Sequence, residues 1–405
     1  MENLMDNKSE KKIYFFIYKY VDYIFLVLMG CLFFLFCVKS FYSEHGDMTL
    51  YLKPWYKILC KNHSLKEMYS IPNFNYTPIF SLMYYIESFI IGDGDKRAIF
   101  ACKFPSMVCL MFTAIFSYLF VKKYYLKIKG GNNKSCLLVF FAILFNPSTL
   151  WNVCIWGQTD LIYVCFCIMA LYFLYFINVP LAFLVLGIGF AFKMHAIFLL
   201  PVFICYAFEK RISLLNFSLF FIPYIISSIV VGLLGAPFEK AFFMFARPSH
   251  YFTAVSPNIG TLFGGVLFDN PNNAIYWYMI IMSFAIFLSI FYIFLKNKFS
   301  LNNLYFFVLF SFLSCVVAPY FLPGMHGRYF CLAETISIIF AFIAPKYLYV
   351  TVLVLFSSLP HYVWALTGNE VFPVKICSTI ILLAIILLFR LVYKEKAKVQ
   401  ENEKK

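Results

Sequence analysis

Charge is what this chain has least of. Only 13% of its 405 residues are Asp, Glu, Lys or Arg, and acidic residues number 19 against 33 basic ones. A soluble domain of this length needs a far more ionic surface, and no single soluble core buries a 63% hydrophobic composition. Metal and disulfide patterns are also missing. The thirteen cysteines are scattered, mostly inside apolar runs, with no CxxC, no paired spacing and no zinc pattern. Neither a disulfide framework nor a metal site is expected.

What is present is a series of apolar runs about 15–22 residues long, the length a helix needs to cross a bilayer. The expected fold class is an all-α polytopic membrane protein. The first run, Val21 to Val38, lacks a small-residue cleavage site and is followed by many others, so it reads as a span rather than a signal peptide. The net charge of +14 suggests nucleic acid until its placement is considered. The basic clusters are Lys8 to Lys12, Lys122 to Lys134, Lys210 with Arg211, Lys296 with Lys298, and Lys394 to Lys405. All sit beside apolar runs, as cytoplasmic loops do under the positive-inside rule, so membrane lipids rather than nucleic acid are the expected surroundings.

Counting spans from both ends gives one conflict. If Thr77 to Ile91 crosses the membrane, "KKYYLKIKGGNNK" falls outside with its five lysines. The expectation is that this short stretch, which carries Glu87, is interfacial or re-entrant. The alternative is a crossing helix with those lysines outside. With the first choice there are roughly twelve transmembrane helices and both ends are cytoplasmic. Residues 1–393 form a single integral membrane domain with external loops at 41–97 and 235–273. Residues 394–405 form a basic cytoplasmic tail. The segment "HYVWALTGNEVFP" is expected outside.

One apolar stretch, Ile177 to Glu209, contains Pro180, Lys193, His195 and Pro201. Two short helices meeting near Lys193 are expected, because a buried ammonium in lipid costs about 2.5 kcal/mol or more and needs a polar cavity. Broken helices of this kind mark binding cavities.

Four polar clusters then fall on the external side. "HGDMTLYLKPW" carries Asp47. "NPSTLWNVCIWGQTD" carries Trp156, Gln158 and Asp160. "ARPSHYFTAVSPNIGTLFGG" carries Arg247, His250 and Asn258, and "GMHGRYF" carries His326 and Arg328. Lys193 and His195 join them at the helix break. Each has a plain reading: a solvated Asp, an interfacial Trp belt, a turn after Pro257, a head-group anchor. Together they suit chemistry on an anionic substrate at a membrane surface, since Arg and Lys bind phosphate and an Asp or His accepts a proton from an attacking hydroxyl.

The order of these motifs resembles the polytopic GT-C glycosyltransferases, above all bacterial relatives of the mannosyltransferases that build GPI anchors. The matching elements are "GDMTLYLKPW", "NYTPIFSLMYYI", "NPSTLWNVCIWGQTD", "KMHAIFLLP", "SPNIGTLFG" and "MHGRYF", spanning roughly Asp47 to Phe330. The resemblance implies a GT-C-like fold with helices lying along the membrane in the first external loop. It makes Asp47 the catalytic base. It departs from the family at Gly327, where a Glu is usual, and this puts sugar specificity in doubt.

A polyprenyl-phosphate-linked sugar keeps its phosphate at the surface and its tail in the bilayer. An enzyme using such a donor needs its base at the outer interface of, for a bacterium, the plasma or inner membrane. Lys193, Arg247 and Arg328 are candidates to hold the leaving phosphate. Gln158 and Asp160 are candidates for hydroxyl contacts, with Trp156, His195, Asn258 and His326 also placed at the substrate. The acceptor is a glycan or glycolipid. No cofactor is called for, and no metal, since the phosphate already has basic partners. Two other classes stay open: a polysaccharide polymerase or flippase, and a secondary transporter, although no inverted repeat is visible.

Overall fold

A computed structural model describes residues 8–72, 74–128, 136–246, 253–264, 274–297 and 299–403. Nearly all of them are helical. The chain opens with α1 (Lys8–Ser40), whose long side chains are largely exposed, as lipid-facing side chains are. The first loop then folds into α2 (Lys53–Asn62), α3 (Leu65–Ser70) and α4 (Pro78–Ile90). After it come α5 (Asp95–Ile128), α6 (Cys136–Leu144), α7 (Pro147–Leu150), α8 (Asp160–Phe176) and α9 (Val179–Phe192). The next group is α10 (Leu200–Lys210), α11 (Asn216–Leu233), α12 (Phe238–Phe242), α13 (Ile259–Gly264) and α14 (Ala274–Lys296). The chain ends with α15 (Leu304–Phe321), α16 (Cys331–Ile343), α17 (Leu348–Thr367) and α18 (Val374–Glu403). The only strands among the described residues are Thr253–Ala254 and Met325–His326, which pair in parallel.

Seven described helices are long and apolar enough to cross a membrane, and eight if the bent pair Cys136–Leu144 and Pro147–Ile155 is one span. This is the composition of a multi-pass membrane protein. It is fewer than the roughly twelve spans expected from apolar runs, because several runs are cut into short pieces. Helix α8 has 17 residues, α9 has 14, α16 has 13 and α10 has 11. Helix α4 has 13 residues, a rise of about 20 Å, against a hydrocarbon core of about 30 Å.

The first loop has its own core. Lys53, Lys57 and Lys61 occupy one face of α2, while Trp55, Tyr56 and Leu59 are buried on the other. Pro54 sits in the first turn, where its missing N–H costs nothing. The helix ends at His63, which adopts a left-handed conformation. Ser64 then caps α3 by accepting from the Glu67 N–H, the sequence S-x-x-E of a capping box. Trp55, Tyr56 and Leu59 form a cluster with Met48, Leu52, Phe74, Phe80 and Tyr84 that is separate from the core of the main bundle. An ordered core makes the loop a rigid platform for Asp47.

The break expected near Lys193 is present. Helix α9 stops at Phe192, Lys193 is extended, and Met194–Leu199 is a 3-10 turn before α10. The segment expected outside begins within α17, which continues to Thr367 and is stopped by Gly368 in a left-handed conformation. The hydrophobic run through "HYVWAL" carries the helix past its two polar residues.

Candidate active site

Four chain segments meet at one cluster of charges. Asp47 comes from the end of the first loop's opening stretch, immediately before a π-helical turn, Met48–Leu52. Gln158 donates from Nε2 to Asp47 Oδ2 at 3.1 Å, and Arg328 donates from Nη1 to the same oxygen at 2.6 Å. Burial pushes the Asp47 carboxyl up, but the Arg328 charge and hydrogen bond, the Gln158 hydrogen bond and the Lys193 charge outweigh it. The carboxyl is held below the ordinary carboxylate value and is ionised at neutral pH. Asp47 Oδ2 takes both bonds and its side chain stays 34% exposed, while Oδ1 makes no hydrogen bond to the described residues.

Asp160 is the buried counterpart. It opens α8 with no exposed side-chain surface. Its Oδ1 is ion-paired to Lys193 Nζ. Its Oδ2 accepts from Asn152 Nδ2 at 3.0 Å and lies 3.7 Å from Arg328 Nε. Both oxygens are engaged, so Asp160 holds the two cations in place. A buried ion pair of this kind is tolerable only when its charges are matched and hydrogen-bonded. Asp47, Asp160, Lys193 and Arg328 together carry no net charge, yet the cations keep unused donors. The guanidinium has five N–H groups and the ammonium three.

Aromatic rings close the site. Arg328 Cζ lies 5.1 Å from the Trp156 ring centroid, and Lys193 Nζ lies 4.9 Å from that of Tyr329. The His195 ring packs 3.8 Å from Tyr329, centroid to centroid. His326 is 5.1 Å from Tyr329. Its pKa is pushed well below the usual histidine value, first by burial and then by the charges of Arg328, His361, Lys193 and His195, so the ring is neutral at pH 7.

The local folding explains why these residues converge. Residues 147–155 run as a short helix and a π turn that ends at Trp156. Gly157 then reverses the chain at φ +74°, and a Cβ there would meet Met48 Sδ at 2.4 Å. Only glycine lets the Gln158 turn pack this closely on the residue after Asp47. On the opposite side, the Thr253–Met325 and Ala254–His326 pairing brings the 253–258 segment to the base of the Arg328 turn.

Of the residues expected at the site, Asp47, Trp156, Gln158, Asp160, Lys193, His195, His326 and Arg328 are brought together. Asn258 is placed differently in its bonding. Its Oδ1 accepts from the Thr261 N–H at 3.1 Å at the start of α13, and its carbonyl accepts from Ser378 Oγ at 2.6 Å. It has no hydrogen bond to the charge cluster. Arg247 and His250 lie outside the described residues.

Three contributors were not singled out from sequence. Asn152 lies inside the "NPSTLWNVCIWGQTD" motif, where an amide among apolar residues gives no sign of its partner. Tyr329 follows Arg328 directly, and only the packing shows both cations using its ring. His361 opens the segment expected outside, and its residue type alone gives it no role. In the structure it is buried, donates from Nδ1 to the Val255 carbonyl at 3.2 Å and packs 5.5 Å from the Trp156 ring. It also accounts for Gly327: a Cβ there would lie 2.4 Å from His361 Cβ and 2.8 Å from the Val255 carbonyl oxygen. No side chain larger than hydrogen fits. Among the described residues no group of three or more His, Cys, Asp or Glu is arranged to hold a metal ion.

No protein-family model matches the chain and no curated protein matches it, so the reading of this site rests on its own geometry.

Proposed function

We propose that this chain is an integral membrane glycosyltransferase of the GT-C type, mannosyltransferase-like, that takes a sugar from a polyprenyl-phosphate donor at the external face. The acceptor is a glycan or glycolipid. The observation that carries this reading is the state of Asp47. It is ionised, partly exposed and anchored through one oxygen by Arg328 and Gln158, with the other oxygen unengaged by the described residues. That is the arrangement a general base requires.

In the proposed reaction Asp47 Oδ1 accepts the proton of the acceptor hydroxyl. The hydroxyl oxygen forms a bond to the anomeric carbon as the bond from that carbon to the phosphate oxygen breaks. The electron pair leaves with the lipid phosphate, and the configuration inverts. The donors of Arg328 and Lys193 that no described residue uses support this role, because they can meet the negative charge that grows on the leaving phosphate. The buried Asp160 fixes both cations beforehand, so little reorganisation is needed. The transfer of radiolabelled sugar from polyprenyl-phosphate donors, in membranes containing the full chain, tests the reading. Transfer above that of membranes with Asp47→Asn is expected. Equal transfer in the two, or none with any donor, overturns it.

A further inference from the structure

Lys103 lies eight residues into α5 and is completely buried, among the largest side chains in the chain with no exposure. No ion pair to it occurs among the described residues. Its ammonium instead donates to backbone carbonyls of two separate segments. Ser40 and Ser43 accept at 3.1 and 2.7 Å, and Cys154 accepts at 2.6 Å. Ser40 ends α1 and Cys154 belongs to the turn that ends at Ile155. The last carbonyls of a helix have no partners within it and carry partial negative charge. Lys103 therefore neutralises two helix C-termini where they meet, which is why a buried ammonium is tolerated without a carboxylate.

The two segments it joins are the ones that lead into the site. Three residues separate Ser43 from Asp47, and three separate Cys154 from Gln158. The stem of Lys103 also packs on the reversal between them. A Cβ on Gly157 would sit 3.2 Å from Lys103 Cε. Ser43 Oγ adds a direct link, donating to the Ile155 carbonyl at 3.0 Å. The hydrogen bond from Gln158 to Asp47 thus spans two loops whose relative position is set from below by one lysine.

We propose that Lys103 is a positioning residue, a clamp that holds the Asp47 loop in register with the Gln158 turn. This rests on the reading of Asp47 as the base. Displacing a reacting group by about 1 Å costs about a hundredfold in rate. Lys103→Met in the full-length protein should therefore lower kcat by ten- to a hundredfold, with donor KM within about twofold, since Lys103 touches no substrate.

A structural role alone would not make the effect depend on Asp47, so the double variant decides. In an Asp47→Asn background, Lys103→Met should cost less than about twofold more, because there is no base left to misplace. A full multiplicative loss overturns the proposal. Ser43→Ala removes one link of the same junction without stranding a charge, and it serves if Lys103→Met does not fold. It should show a smaller fall in kcat that also vanishes with Asp47→Asn. Hydrogen exchange gives a readout independent of chemistry. In either variant residues 41–47 and 151–158 should exchange several-fold faster while 304–343 is unchanged. If wild-type membranes transfer no sugar, the transferase reading fails and exchange alone judges the clamp. Unchanged exchange in the two segments overturns it.

Discussion

At the scale of single residues, the site separates two carboxylates by what surrounds them. Among the described residues Asp47 has an oxygen to spare and Asp160 has none. Asp47→Asn should lower turnover by about a hundred- to ten-thousand-fold, the usual range for a general base, with donor KM little changed in a transfer assay. Asp160→Asn acts on folding instead. It strands Lys193 and weakens the hold on Arg328, and breaking a buried pair from one side costs about 3–5 kcal/mol. The thermal midpoint in detergent should fall, and adding Lys193→Met should restore part of it. The Arg328 charge also sets the acid limit of activity. Because it holds the Asp47 carboxyl below its ordinary value, the base form persists as pH falls through the usual carboxylate range. In Arg328→Gln burial is less opposed, the carboxyl rises, and the base is lost at higher pH. The acid limb of the kcat/KM profile should move upward; an unmoved limb would mean that Asp47 is not the titrating base.

At the scale of elements, two close approaches fix the geometry. The Gln158 turn packs on Met48 through Gly157, and the Arg328 turn packs on α17 through Gly327. Gly327→Ala forces a carbon into His361, so the turn carrying Arg328 must shift. Activity should fall by tenfold or more and the melting temperature should drop. Gly327→Ala with His361→Ala should recover little of this, because alanine keeps the His361 Cβ at 2.4 Å and the Val255 carbonyl oxygen still lies 2.8 Å from the added carbon. Full recovery would show that the His361 ring alone fills the space.

At the scale of the whole molecule, Asp47, Gln158 and Arg328 are in contact, so they share one side of any membrane the chain crosses. Helix α5 has 34 residues and extends about 51 Å, well beyond a hydrocarbon core of about 30 Å. Its Asp95 end is ion-paired to Lys57 of the first loop, so a bilayer crossed by α5 would have the other end on its far side. Membrane-impermeant thiol labelling of single-cysteine variants should reach Glu44→Cys from outside and Lys127→Cys only from inside. Labelling of Lys127→Cys from outside would place Thr77 to Ile91 across the bilayer and overturn the side assigned to the site.

Composition and charge placement determined the all-helical, multi-pass character, because lipid allows few other structures and basic residues resist translocation. They also located the break at Lys193, since an ammonium and two prolines cannot sit in one uninterrupted apolar helix. Most charged site residues were legible for the same reason: a charge among apolar runs stands out. Tertiary structure alone decided which carboxylate is anchored and which is engaged, because that depends on partners such as Arg328 and Asp47, which lie 281 residues apart. It alone assigned work to Asn152, Tyr329 and His361, whose roles depend on the carboxylate, rings and carbonyl packed beside them. Lys103 was hidden in the same way. In sequence it is one lysine near the start of a span, and only the packing of two helix ends around it shows what its charge is for.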